Sequence, residues 1–380
     1  MSSGKRPEWA PQDCDGKGFA SLVVDGVEGG HDGMPGGASK PAAPPVVRRK
    51  NLRVQDFVQG VLAQDRTVLG RAITLVESNV PAHMERAQRM LKELIPHTGN
   101  SVRVGITGVP GAGKSTFIEA LGSLLCDQGH KVAVLAVDPS SSLTRGSILG
   151  DKTRMQNLSR NKNAFIRPSP SSGVLGGVTR KSRETMLVCE AAGFDVILVE
   201  TVGVGQSETE VRSMVDFFLL VLIAGAGDEL QGMKKGIMEL ADAILINKAD
   251  GDNKQRAETA RSEFERIIHY LLPATEGWTT QALTASSLTG DRIPDVWRTV
   301  EKFKANTMAS GVFQRRRNAQ TVRWVHSMVD DYLRTAFYGN PTVKAMIPGI
   351  ESDVVEGSLS PTQAVQKLVQ EYENHCKANP

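Results

Sequence analysis

Apolar residues recur at helical spacing at Val54, Phe57, Val58, Val61 and Leu62, and again at Leu69, Ala72, Ile73 and Val76. Positions i, i+3, i+4 and i+7 share one face of an α-helix, so each set predicts a helix with one side buried. Pro81 suits a first helical position and opens a third such segment, with Met84, Ala87, Leu91 and Leu94 on one face. From about residue 101 the texture changes. Short apolar runs, Val102 to Thr107, Val132 to Val137, Val196 to Val199, Phe218 to Ile223, Ile244 to Ile246 and Ala282 to Thr284, alternate with helical stretches. Such runs read as strands buried on both faces, and each is followed by a loop rich in Gly, Ser, Asp or Asn. The alternation predicts an α/β fold built on a doubly wound, mostly parallel sheet, whose ligands sit beyond the carboxyl ends of the strands. After about residue 310 the helical period returns at Val322, Val325, Val329, Tyr332, Leu333 and Ala336. Ser360 and Pro361 read as N-cap and first residue of a last helix with Ala364, Val365, Leu368, Val369 and Tyr372 inward.

These changes of texture divide the chain into residues 1–46, 47–100, 101–305 and 306–380. The first stretch, rich in Gly and Pro and without an apolar period, predicts a flexible tail to which no chemistry is assigned. The second and fourth are helical, and the third is the α/β domain. At 40% hydrophobic and 23% charged residues, the 380-residue chain has globular composition, which excludes a collagen-like or wholly disordered chain. Forty-five Lys and Arg against 42 Asp and Glu leave a net charge of +3, too little to imply a nucleic acid or a membrane surface as partner. Arg315, Arg316 and Arg317 read as a solvated helix face rather than a phosphate-binding patch. The four cysteines are widely separated and make neither a zinc motif nor a disulfide framework, so a reducing compartment fits. No apolar run approaches the ~20 residues that span a bilayer, and the acidic N-terminal stretch is unlike a transit peptide. The cytoplasm is the default location, or the mitochondrial matrix in a eukaryote.

Chemistry enters with Gly108-Val109-Pro110-Gly111-Ala112-Gly113-Lys114-Ser115, a complete G-x-x-x-x-G-K-[ST] between a strand and a helix, continued by Thr116. Glycines let backbone N–H groups wrap a β-phosphate at a helix N-terminus, where the dipole favours anions. Lys114 would bridge the β- and γ-phosphates, and the Ser115 hydroxyl would ligate Mg²⁺. Base identity should come from a later strand end, where Asn247-Lys248-Ala249-Asp250 follows an apolar run. A carboxylate can accept both the N1–H and the N2–H₂ of guanine, a pair that adenine does not offer, so Asp250 points to GTP and GDP over ATP. One strand later, Ser286, Ser287 and Leu288 occupy the loop that would meet guanine O6 through backbone N–H groups. Two further strand ends carry carboxylates, Asp138 and Glu200, which would face the γ-phosphate and its metal. Asp138 is equally readable as a helix N-cap, whereas Glu makes a poor one. Between them Gly150-Asp151-Lys152 lies in a Ser- and Gly-rich segment with the composition of a nucleotide-sensing loop. Val204 follows Gly203 where Ras-like GTPases carry a water-orienting glutamine, so the hydrolytic water needs another anchor.

The strings Val137-Asp-Pro-Ser-Ser, Gly146 to Met155, Glu200-Thr-Val-Gly-Val-Gly-Gln-Ser-Glu208 and Asp228-Glu-Leu-Gln-Gly-Met-Lys-Lys235 together resemble the MeaB/ArgK/MMAA family of GTPases, over about residues 55 to 375. That resemblance implies a SIMIBI-class P-loop GTPase with helical extensions, the C-terminal one serving dimerisation. It implies a homodimer acting as chaperone for adenosylcobalamin-dependent methylmalonyl-CoA mutase, gating cofactor loading and protection. It further implies that Ser115, Asp138, Asp151 and Glu200 surround Mg²⁺, directly or through water, and that Lys234 is a mobile lysine that approaches the nucleotide when the mutase binds. Without the family, Lys234 reads as a solvated neighbour of Lys235. Two other readings compete: an ATP-dependent kinase tied to arginine/ornithine transport, which the NKAD sequence opposes, and a nickel-handling GTPase, which would want His- or Cys-rich tracts.

Overall fold

The structure, a computed structural model, describes residues 52–137, 155–168, 175–201, 207–225 and 235–378. The expected tail therefore lies outside the described residues. Three helices, α1 (Val54–Leu62), α2 (Arg66–Glu77) and α3 (Pro81–Leu94), form where the apolar period predicted them. Asp65 caps α2 by accepting from the backbone N–H of Thr67 and Val68, and Pro81 occupies the first turn of α3, where a missing N–H costs no bond. Their apolar stripes are not a separate core. Leu69, Ile73, Met90 and Leu94 join a cluster that includes Leu135, Ile197, Val199 and Phe218 of the sheet.

Among the described residues the sheet has seven parallel strands: β1 (Val102–Gly108), β2 (Val132–Val137), β3 (Ala164–Pro168), β4 (Val196–Thr201), β5 (Phe217–Ile223), β6 (Ala243–Asn247) and β7 (Gln281–Thr284). Their order is β3-β2-β4-β1-β5-β6-β7, so the chain runs outward in both directions from β1. Six of these were legible as apolar runs. The missed one, β3, is an edge strand paired only with β2; Arg167 and Pro168 break its apolar run, which an edge position tolerates.

Connecting helices cover both faces, as parallel pairing requires. On one side α4 (Lys114–Asp127), α5 (Gln156–Arg160) and α10 (Ile293–Ala309) pack against Val104, Ile106, Leu198 and Leu219. On the other lie α6 (Leu175–Ala191), α7 (Ser207–Arg212) and, over β5 and β6, α9 (Lys254–His269), with the one-turn α8 (Lys235–Met238) nearby. Alternate residues of one strand supply the two cores: Val132 and Val134 face one, Ala133 and Leu135 the other.

The chain ends in α11 (Val312–Gly339), α12 (Pro341–Val355) and α13 (Pro361–Ala378). Here two expectations change. Arg316 and Arg317 are not solvated: Arg317 donates to Asp216 Oδ1 at 2.7 Å and Oδ2 at 2.6 Å, and Arg316 donates to Thr275 Oγ1 at 2.9 Å. Arg315 alone of the three is largely exposed, beside Glu276. The buried carboxylates Asp216 and Asp242, at the starts of β5 and β6, need cations, and α11 supplies them. The apolar face of α11 does not pack on the α/β domain: Val322, Val325, Val329, Tyr332 and Leu333 are exposed. The second change is α13, where Ala364 is buried but Val365 and Val369 are exposed. Its start is as expected, with Ser360 and Gln363 bonding each other's backbone N–H in a capping box.

Candidate nucleotide site

At the carboxyl ends of β1, β4, β6 and β7 the predicted motifs meet. Gly108 has φ +149°, and a Cβ there would stand 1.9 Å from the Val221 carbonyl oxygen of the adjoining strand. Only glycine permits that approach of β1 to β5 at the point where the loop leaves the sheet. Gly113 closes the loop at φ +84°, and a Cβ there would press within 2.8 Å of Asn247 Nδ2. Helix α4 starts at the next residue. The loop thus leads its glycine-rich backbone directly into the α4 N-terminus, the arrangement whose N–H groups and dipole suit a phosphate.

Lys114 is buried, and its Nζ donates to the carbonyl oxygens of Gly108 at 2.8 Å and Val109 at 3.2 Å. Burial lowers its pKa, while the nearby carboxylates Glu200 and Glu208 act in the opposite direction and favour the ammonium. The Ser115 hydroxyl, one residue on, donates to Glu200 Oε1 at 2.8 Å. A hydroxyl and a carboxylate oxygen thus lie side by side, the hard oxygen pair that a magnesium ion prefers. Glu200 is itself buried at the end of β4, next in register to Ile106 of β1. Beneath it Thr201 Oγ1 donates to Thr107 Oγ1 at 2.8 Å, joining the two strands at the same level.

Asn247 ends β6 and acts as a strut. Its Nδ2 donates to the Ala112 carbonyl at 2.8 Å, and its Oδ1 accepts from the Ser287 backbone N–H at 3.2 Å and the Ser287 hydroxyl at 2.7 Å. One side chain therefore ties the loop after β1 to the loop after β7. Lys248 follows in the left-handed region, φ +59°, and turns the chain so that Asp250 accepts a hydrogen bond from Ser286 Oγ. Backbone bonds from Ala249 N–H to Ala285 and from Ala285 N–H to Ile246 hold the two loops parallel. Leu288 is exposed beyond them.

The fold thus brings together the segment Gly108 to Thr116, Glu200, Asn247 to Asp250, and Ser286 to Leu288. Asp138, Asp151, Val204 and Lys234 lie outside the described residues. Sequence reasoning overlooked Glu208, buried in the first turn of α7 and close enough to Lys114 to favour its charge. The signal was present in the Gln206-Ser207-Glu208 string, but a carboxylate in a first helical turn reads by itself as dipole compensation. Among the described residues no three His, Cys, Asp or Glu side chains form a metal-holding group, and no helix is long and apolar enough to cross a membrane.

Comparison with known proteins agrees with this geometry. The family description "Methylmalonyl Co-A mutase-associated GTPase MeaB" matches residues 69–342. A putative GTPase of Caulobacter vibrioides is 52% identical over 318 residues, covering 84% of this chain and 97% of that one. GTPase ArgK of Escherichia coli is 48% identical, with 80% and 92% covered. The mitochondrial methylmalonic aciduria type A homolog of Mus musculus is 42% identical, with 84% and 80% covered. Among solved structures, a LAO/AO transport system kinase superposes with a TM-score of 0.69 at 39% identity, over 84% of this chain and 97% of that chain. With its glycine loop leading from β1 into α4, its seven parallel strands and these relatives, the chain belongs to the MeaB family of P-loop GTPases.

Proposed function

We propose that the protein binds GTP with Mg²⁺ at the carboxyl ends of β1, β4, β6 and β7, hydrolyses it, and serves as a chaperone of adenosylcobalamin-dependent methylmalonyl-CoA mutase. The observation that carries the nucleotide reading is the Asn247 strut, which couples the phosphate loop at Ala112 to the base loop at Ser287. In this reading the N–H groups of Gly108 to Thr116 hold the phosphates and Lys114 neutralises the β- and γ-phosphate oxygens. Asp250, oriented by Ser286 Oγ, accepts from guanine N1–H and N2–H₂. Ser287 and Leu288 offer backbone N–H groups to O6.

Ser115 and Glu200 would hold the magnesium ion, with Asp138 and Asp151 as further oxygen donors. When bound, the ion neutralises charge that develops on the transferred phosphoryl group. Glu208, the neighbour of Lys114, helps keep that buried amine protonated against its desolvation. Lys234 would supply a further positive charge when the mutase is engaged, and Val204 leaves hydrolysis slow without it. A cation brought to the γ-phosphate accelerates such transfers by roughly 10³ to 10⁵.

The mutase association rests on the family description, and the location is the cytoplasm, or the mitochondrial matrix in a eukaryote. The exposed apolar face of α11 and α13 is read as the surface where two copies meet as a homodimer. An ATP-dependent kinase of arginine/ornithine transport is the competing reading, prompted by the name of the superposing structure. Calorimetric competition separates the two: tight GDP binding with negligible ATP binding is expected, and the reverse removes the GTPase reading. Steady-state GTP hydrolysis with and without the mutase, on wild type and Lys234→Ala, tests the chaperone reading. Wild type is stimulated and the variant is not; absence of stimulation by any cobalamin-dependent mutase overturns it.

A further inference from the structure

Away from the nucleotide site, a cavity of about 550 Å³ opens between α7, residues 274–276 and the first half of α11. Four guanidinium groups border it: Arg212 from α7, and Arg315, Arg316 and Arg323 from α11. Two carboxylates balance them. Asp242, fully buried behind the cavity, accepts from Arg212 at 3.0 and 3.2 Å and lies 3.5 Å from Arg316. Exposed Glu276 meets Arg315 at 3.1 Å.

The positive charge is therefore in excess. Arg316 Nη2 is buried and has no hydrogen-bond acceptor, its other nitrogen Nη1 being spent on Thr275 Oγ1. Among the described residues Arg323 reaches only the carbonyl of Ala319 on its own helix, at 3.4 Å. The excess is felt by neighbours: Arg183, stacked on Trp324, is pushed down to about 10 by burial first, then by the like charges of Arg103 and Arg323, with Glu210 opposing. Arg212 is lowered by burial and Arg323 against the pull of Asp242.

A lining of this kind selects its occupant. Guanidinium forks match the paired oxygens of a phosphoryl group, whereas an apolar ligand would leave them desolvated and unpaired. The volume exceeds what a lone phosphate needs and suits a small organic phosphate. We propose that this groove binds a phosphate-bearing small molecule, held by Arg315, Arg316 and Arg323 of α11 and facing Arg212 of α7, whose own fork stays on Asp242, the Ala274 carbonyl and Thr275. Such a ligand would bridge two elements with different roles. Helix α7 carries Glu208 beside Lys114, and α11 carries the exposed apolar face, so occupancy ties the nucleotide end of the domain to the C-terminal helices.

The test uses the full chain at saturating GDP, so that the phosphate loop does not compete, and follows binding by calorimetry. Three probes separate the sources: inorganic pyrophosphate, glycerol 3-phosphate and, as the non-phosphate control, succinate. Expected is saturable binding of one of the phosphate probes, weakened about tenfold or more in the double variant Arg315→Gln/Arg323→Gln, the loss that follows from removing charge-assisted bonds. Neither residue touches the phosphate loop, so GDP affinity stays at the wild-type value and reports separately on the nucleotide reading. Phosphate binding undiminished in the double variant overturns the proposal. So does succinate binding as tightly as either phosphate, or the absence of saturable binding by all three probes in wild type.

Discussion

In α2 the residues Leu69, Ala72, Ile73 and Val76 are at most 2% exposed, whereas in α11, from its third turn on, Val322, Val325, Val329, Tyr332 and Leu333 are between 48% and 73% exposed. The two stretches have the same helical apolar spacing. Their difference lies in what each helix reaches. Helix α2 folds back onto α6 and the sheet face that carries Ile197 and Val199, so its stripe completes a core. Helix α11 is anchored at its first turns by Arg316, Arg317 and Gln320, the last donating to the Val215 carbonyl at 2.9 Å, and then runs on past the sheet. Apolar periodicity thus records that a face needs a partner, while the identity of that partner depends on where the chain has already been fastened.

The anchor is the first place to break the comparison. Arg317→Ala leaves Asp216 buried without its cation and should cost about 3–5 kcal/mol of stability in urea unfolding, as loss of one member of a buried pair does. A change below ~1 kcal/mol, the level of an exposed ion pair, would show that α11 is not fastened there. Ile73→Ala, in the buried stripe, should cost about 2–5 kcal/mol through lost burial and the cavity left behind. Asp250→Asn should leave the unfolding midpoint unchanged yet weaken GDP about tenfold or more and improve xanthine nucleotides, because an acceptor becomes a donor. Unchanged GDP affinity in calorimetry rejects the base assignment.

Acid titration sharpens the anchor further. Burial raises Asp242 from 3.8 to about 6, against the opposing influence of Arg212, Thr275 and the Phe218 N–H. The folded chain therefore holds this proton more tightly than the unfolded chain. The contribution is fully present below 3.8 and is lost as pH rises through about 6. Asp242→Asn, which cannot titrate, should flatten that part of the pH dependence between about pH 4 and pH 7. An unaltered slope would mean that Asp242 stays ionised throughout.

The smallest effect on folding is expected at the exposed stripe. Leu333→Ala should change domain stability by no more than ~0.5 kcal/mol. In sedimentation it should nevertheless shift the protein toward monomer, and a monomer–dimer balance equal to that of wild type would separate this face from self-association.

Much of the nucleotide site was readable residue by residue because its chemistry is local. The glycine loop, Lys114 and Ser115 are consecutive, and Asn247 and Asp250 are three residues apart at a strand end. Backbone geometry demands glycine at Gly108 and Gly113, and those demands are written in the chain itself. Less legible was Arg316-Arg317, where three consecutive arginines look like a solvated face until the partners are known. Their carboxylates lie far away in sequence, Asp216 101 residues from Arg317 and Asp242 on the far side of β6, β7 and α9–α10 from Arg316, and single-strand reading cannot pair them.

By itself the sequence determined the α/β alternation, six of the seven strands, the helical flanks and the nucleotide motifs, because strand and helix periods and tight turns depend on neighbours a few residues apart. Only the tertiary structure decided that β3 closes one edge, that Glu208 stands near Lys114, that Asn247 bridges two loops, and that four arginines converge on one groove. Each of these joins residues far apart in the chain, and burial, charge compensation and hydrogen bonding act on distance in space, whatever the separation in sequence.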